Sequence, residues 1–148
     1  MWRKCCVSEK EKAQHNSWCL FLSANDSVSD YPTNRWYDFT VELPGQLILE
    51  GEWECGLLEI NCLPRTDREL VIYCDIVEQS YFQNRTASLL RCVFQSSEIY
   101  SNPYFIKLNR NHISHVRMYI RDLVTGRVPA EYNLEFTCTL GLRKVQHD

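Results

Sequence analysis

The stretch Phe39-Thr40-Val41-Glu42-Leu43-Pro44-Gly45-Gln46-Leu47-Ile48-Leu49-Glu50-Gly51-Glu52-Trp53-Glu54-Cys55-Gly56-Leu57-Leu58-Glu59-Ile60 decides the fold. Phe39, Val41 and Leu43 alternate with Thr40 and Glu42, the two-residue period of a strand with one buried face. Pro44-Gly45 is a turn dipeptide, and Leu47 and Leu49 resume the alternation beyond it. Glu50-Gly51-Glu52 then reverses the chain, after which Trp53, Cys55 and Leu57 point one way and Glu52, Glu54 and Gly56 the other. The spacing predicts strand, corner, strand. Trp53 is placed to seed a core between two sheets, because large aromatic rings bury the most area per residue.

Working outward toward the N-terminus, Trp18, Leu20 and Leu22 alternate with Cys19 and Phe21 as a further strand. Ala24 to Trp36 reads as a loop rich in Asn, Asp, Ser and Pro. Residues 1–16 are polar, charged and without periodicity, which predicts a flexible N-terminal arm ahead of a folded domain over 17–148. In the other direction, Arg65-Thr66-Asp67-Arg68 is a charged turn, and Leu70, Ile72, Cys74 and Ile76 form one face of the next strand. Glu78 to Ala87 reads as a polar loop; Ser88 to Phe94 and Tyr104 to Leu108 read as two shorter strands. From His115 to Leu123, Val116, Met118 and Ile120 alternate with Arg117, Tyr119 and Arg121. The last strand alternates most cleanly, with Tyr132, Leu134, Phe136, Cys138, Leu140 and Leu142 on one face.

About eight antiparallel strands and no convincing helix imply an all-β sandwich or barrel, and that strand number favours a single jelly-roll β-sandwich. An immunoglobulin-like sandwich is the other reading, weakened by the missing Cys…Trp…Cys order. At 148 residues the chain suits one domain. Lys and Arg number 16 against 19 Asp and Glu, a balance that gives no overall footprint for binding nucleic acid directly. No apolar run approaches the roughly 20 residues of a membrane helix, so no membrane span is expected. No hydrophobic region follows the basic N-terminal residues, which points to folding inside the cell.

The eight cysteines invite a disulfide framework, but Cys55, Cys74, Cys92 and Cys138 each fall on the apolar side of a strand. Free thiols there act as small hydrophobes, so reduced core cysteines are expected. No Cys-x-x-Cys pair suggests zinc. His112 and His115 flank a turn with no acidic or thiol partner nearby, and read as solvated or interface histidines. Glu50, Glu52, Glu54 and Glu59 alternate outward as a solvated or subunit-facing surface would. Asn25-Asp26-Ser27 and Asn84-Arg85-Thr86 fit the glycosylation sequon, a triplet common by chance. No nucleophile elbow or glycine-rich phosphate loop occurs. The expectation is a protein that is not an enzyme and has no cofactor, catalytic residue or metal.

Two blocks carry a resemblance. The first is Phe39…Leu43-Pro44…Leu47-x-Leu49-x-Gly51-x-Trp53-Glu54-x-Gly56-Leu57-x-Glu59-Ile60; the second is Ile120-x-Asp122…Gly126-x-Val128-Pro129 with the strand ending Leu140-x-Leu142-Arg143. Together they resemble the penton-like minor capsid proteins of Polinton/Maverick elements and related adintovirus-like animal DNA viruses. The likeness spans about residues 17 to 144, and Cys55 stands where the family pattern suggests valine. It implies a structural virion protein: a single jelly roll forming a homo-pentamer at capsid vertices and seated against the major capsid protein. It also implies localisation in the virion after assembly inside the host cell, in the nucleus.

Such a ring needs subunit contacts, and loop aromatics suit them because Tyr and Trp are enriched at interface cores. The candidates are Tyr31, Trp36, Tyr37, Tyr81, Phe82, Tyr100 and Tyr104. The arm over residues 1–16 would tether the ring to the capsid interior. A non-viral jelly-roll oligomer acting as a binding module, either a trimeric ligand or a carbohydrate-binding sandwich, is the alternative. A nucleoplasmin-like chaperone would carry an acidic tract, and none is present.

Overall fold

A computed structural model describes the backbone of Trp2 and Arg3 and residues 16–63, 69–129 and 134–146. The expected charged turn at Arg65–Arg68, the face position of Tyr132 and all of the arm between residues 4 and 15 lie outside the described residues.

The regular structure of the described chain is almost all strand. In order it runs β1 (Trp2–Arg3), β2 (Ser17–Ser23), the single-turn helix α1 (Ala24–Ser27), β3 (Asp38–Ile48), β4 (Trp53–Leu63) and β5 (Leu70–Cys74). Then come β6 (Ser80–Phe82), β7 (Arg85–Ala87), β8 (Leu89–Val93), β9 (Ser97–Ile99), β10 (Phe105–Lys107), β11 (His112–Asp122) and β12 (Glu135–Lys144). One sheet is ordered β1-β2-β12-β4-β10, with β9 also on β4; the second is ordered β3-β11-β5-β8; β6 and β7 form a separate hairpin. All pairings are antiparallel. From β2 to β5, and again from β10 to β12, each connection crosses from one sheet to the other. This interleaving is the jelly-roll arrangement of two Greek keys, as the alternation predicts.

The core lies between the sheets. Phe39 on β3 and Phe136 on β12 meet with ring centroids 5.9 Å apart, and the Cys138 thiol donates to the Met118 sulfur at 3.6 Å. Trp53 is 4% exposed, so it does sit in the core, and its indole N–H donates to the Glu50 carbonyl at 2.8 Å. The inward faces of β11 (Val116, Met118, Ile120) and β12 (Phe136, Cys138, Leu140, Leu142), with Leu134 just before it, are buried as the alternation requires.

Several expectations need correction. Pro44-Gly45 does not turn the chain: β3 continues through it, paired with β11 on both sides. The pairing slips there, with Ile113 opposite Leu47 but His115 opposite Glu42. Proline is tolerated because β3 is an outer strand and the bulge needs no donor from it. A second slip beside Leu58 moves the inward face of β4 from Leu57 to Ile60, opposite Thr139 and Leu140. A third, between Ile72 and Tyr73 where β5 meets β8, buries Leu90 and Val93. Cys92, expected on the apolar side of its strand, is therefore only partly buried, and Phe94 is exposed.

The polar loop from Glu78 to Ala87 contains the β6–β7 hairpin. Gln83 and Asn84 turn it with φ of 50° and 62°, both left-handed, as a two-residue hairpin turn of this hand requires. The segment before Tyr104 holds β9, and the Ala24–Trp36 loop opens with α1, whose Ser23 hydroxyl accepts the Asp26 amide. Cys55, Cys62, Cys74, Cys92 and Cys138 are free thiols, whereas Cys19 is disulfide-bonded, so not every described cysteine is reduced.

Candidate functional site

The part of the surface with the chemistry of a contact site is the outer edge made by β8, β9 and β10. β8 ends one sheet, and β9 and β10 flank β4 at the end of the other. Between residues 94 and 104 this edge carries three exposed apolar side chains: Phe94, Ile99 and Tyr104, at 63%, 79% and 70% exposure. The two short strands leave little continuous backbone open to pairing, so the edge offers side chains more than a hydrogen-bond ladder.

Arg91 joins the two halves of this edge. Its guanidinium lies 3.7 Å from the centroid of the Tyr100 ring and 5.7 Å from that of Tyr104. Arg91 Nη1 and the Tyr100 hydroxyl are both buried, with no hydrogen-bond partner in good geometry among the described residues. Burial pushes the Tyr100 phenol up to about 12, with the Glu98 carboxylate adding to the shift and Arg91 opposing it. The backbone approaches closely here: a Cβ at Gly56 would lie 2.6 Å from the Tyr104 carbonyl oxygen.

The seven aromatic candidates do not form one surface. Trp36 and Tyr100 are buried within the chain, with Trp36 meeting Tyr37 edge to face at 5.7 Å. Tyr31 and Tyr37 are partly buried, and the Tyr31 hydroxyl accepts the Glu42 amide at 3.3 Å. Tyr81 is exposed and Phe82 partly buried on the β6–β7 hairpin, with Tyr81 donating to Asn84 Oδ1 at 3.0 Å. Only Tyr104, with Tyr100 beneath it, belongs to the β8–β10 edge. Sequence reading missed Phe94 and Ile99 there. The bulge that shifts the inward face of β8 and leaves Phe94 outside has no mark in the sequence.

The remaining sequence features are accounted for locally. His112 and His115 are exposed on β11, and among the described residues no group of His, Cys, Asp and Glu is placed to hold a metal ion. Glu52 lies 4.0 Å from Lys107, Glu54 pairs with Arg143, and Glu59 accepts the Thr139 hydroxyl at 2.7 Å, so much of the acidic row is engaged across strands. Asn25 accepts the Phe136 amide at 3.0 Å, tying α1 to β12, and Asn84 is at the hairpin tip. The buried thiols are poor nucleophiles: desolvation raises Cys55 and Cys138 well above the usual range and Cys74 to about 12. Among the described residues no helix is long and apolar enough to cross a membrane.

Fold and surface together define an all-β jelly-roll sandwich with an apolar outer edge. No protein-family model, curated protein or solved structure matches the chain.

Proposed function

We propose that this chain is a structural protein of a virion, a penton-like minor capsid protein whose jelly rolls close into a ring of five at the vertices and bind the major capsid protein. The reading rests on the sequence resemblance. The single observation that best supports it is the apolar β8–β10 edge, where Phe94, Ile99 and Tyr104 are all exposed. A cyclic ring is heterologous, so one edge of each subunit must meet a different surface of the next. An edge with exposed aromatic and aliphatic side chains around a partly buried arginine has the composition of an interface core.

Native mass spectrometry of the full chain at micromolar concentration is expected to give pentamers that persist at moderate salt, since apolar contacts are not screened. The double variant Ile99→Asp, Tyr104→Ser is expected to dissociate them while keeping the strand-rich circular dichroism spectrum. Trimers would favour the ligand-like alternative. A chain that stays monomeric and fails to bind the major capsid protein from the same element would end the proposal.

A further inference from the structure

Away from that edge, the β6–β7 hairpin leans over the outer face of the other sheet. It is held there by Gln83 Nε2 donating to the Leu123 carbonyl at 3.3 Å and by Arg85 Nη2 donating to the Tyr73 hydroxyl at 3.4 Å. Beneath it lies a cleft of about 320 Å³ lined by Gln79, Arg85, Thr86, Ser88, Tyr119 and Arg121, among others. Among the described residues the lining includes two guanidinium side chains and no carboxylate, on a chain whose net charge is −3.

Three details make this a formed site instead of a chance meeting of arginines. First, Tyr119 is fixed: it stacks on Tyr73 with centroids 4.7 Å apart and planes 10° from parallel. Second, Arg121 is held over that platform, 5.3 Å from the Tyr119 centroid, with Nη1 donating to the Ile120 carbonyl at 2.9 Å. Third, the neighbouring Arg117 is already neutralised, giving two hydrogen bonds to Asp38 at 3.0 and 2.9 Å. Arg85 and Arg121 make no ion pair among the described residues. Each keeps guanidinium hydrogens that its one hydrogen bond does not use.

We infer that this cleft binds a tetrahedral dianion, the phosphate head of a small monoester, for which inorganic phosphate and sulfate are probes. Two guanidinium groups match a double negative charge, and their forked donors suit the oxygens of phosphate or sulfate. The Thr86 and Ser88 hydroxyls and the Gln79 amide can supply further donors. The volume is at the small end of the range for ligand pockets, enough for the head group and a short substituent. The site lies on the sheet that includes β8 but not on the β8–β10 edge, so ring formation and anion binding are separable.

The test is a titration of the isotope-labelled full chain with inorganic phosphate, sulfate, acetate and chloride at constant ionic strength, read by amide chemical shifts. Phosphate and sulfate are expected to give saturable shifts at Thr86, Ala87, Ser88 and Gly126 that chloride does not. Arg85→Gln and Arg121→Gln should each weaken binding at least about tenfold, the size expected for losing a charge-assisted hydrogen bond. Lys107→Gln, a surface charge elsewhere, should leave it unchanged. Should a glutamine variant fail to fold, Arg85→Lys and Arg121→Lys keep the charge without the fork and should still weaken binding. Equal binding of acetate would overturn the tetrahedral assignment. Shifts no larger than those with chloride, or unaffected by any arginine substitution, would overturn the site.

Discussion

The Arg91 guanidinium stacks 3.7 Å from the centre of the Tyr100 ring and so fastens β8, at the end of one sheet, to the β9–β10 segment of the other. Backbone hydrogen bonds from the Glu78 amide to the Lys107 carbonyl and from the Asn109 amide to the Ile76 carbonyl, both 2.9 Å, tie the chain after β5 to the β10 segment, and the Arg91–Tyr100 stack adds side-chain packing from β8. Arg91→Ala is expected to cost about 1–2 kcal/mol in urea unfolding, from the lost cation–π contact and the packing of the side-chain stem. Tyr100→Phe keeps the ring and removes a buried hydroxyl that has no well-formed hydrogen bond among the described residues. Its cost should stay below about 1 kcal/mol, because no hydrogen bond is lost. A larger loss would show that the hydroxyl is bonded in solution.

Trp53→Ala should destabilise the sandwich by roughly 3–5 kcal/mol, the usual cost of removing a buried large aromatic. The indole fills the space between sheets at the start of β4, and its N–H satisfies the Glu50 carbonyl at the corner. Trp53→Phe retains most of the volume and should fall between the wild type and the alanine variant. A loss under about 1 kcal/mol for Trp53→Ala would mean that the side chain is not in the core.

Two glycines on paired strands should respond unequally to a methyl group. At Gly56 an added Cβ would meet the Tyr104 carbonyl oxygen at 2.6 Å, a backbone atom that can move only if β10 moves. At Gly141 it would meet the Leu58 side chain at 3.0 Å, which can change rotamer. Gly56→Ala is therefore expected to cost about 1–3 kcal/mol, and Gly141→Ala distinctly less. Thermal unfolding of the two variants checks the order. Equal or reversed shifts would show that the Tyr104 segment is not pressed against β4.

What the sequence revealed depended on whether strands kept an unbroken period of two. β12 did, from Phe136 to Leu142, and so did β11 from Val116 to Ile120; both inward faces were legible residue by residue. Where a bulge inserts a residue, the period changes phase and the reading fails, as at Leu58 and between Ile72 and Tyr73. Pro44-Gly45 carries the chemistry of a turn, yet tertiary pairing of β3 with β11 overrides it. The Gln83-Asn84 hairpin turn was hidden because it uses no glycine to reach positive φ. Neither the apolar edge nor the arginine cleft could be read, since Arg85, Tyr119 and Arg121 are brought together only by the hairpin folding over β11 and β5.

The buried thiols make stability depend on alkaline pH, and the sign follows from the direction of their shifts. Desolvation raises Cys55 and Cys138 above their ordinary value and Cys74 from 9.0 to about 12, so the native state keeps protons that the unfolded chain releases near its ordinary thiol range. A group raised in this way contributes its stability fully below the unfolded value, and that contribution is lost as pH climbs through the folded one. Tyr100, raised from 10.0 to about 12, adds to the loss in the upper part of the same window. The urea midpoint should thus hold steady up to the ordinary thiol range and fall between about pH 9 and pH 12. Cys74→Ala should flatten the fall even if it lowers the midpoint at neutral pH. Thiol labelling gives an independent reading of the same burial. Cys92 is partly exposed and raised less strongly, so it should be modified first in the native protein, with Cys55, Cys74 and Cys138 reacting only on unfolding. A midpoint unchanged across the alkaline range, together with rapid native labelling of all four, would show that these thiols are not held inside the sandwich.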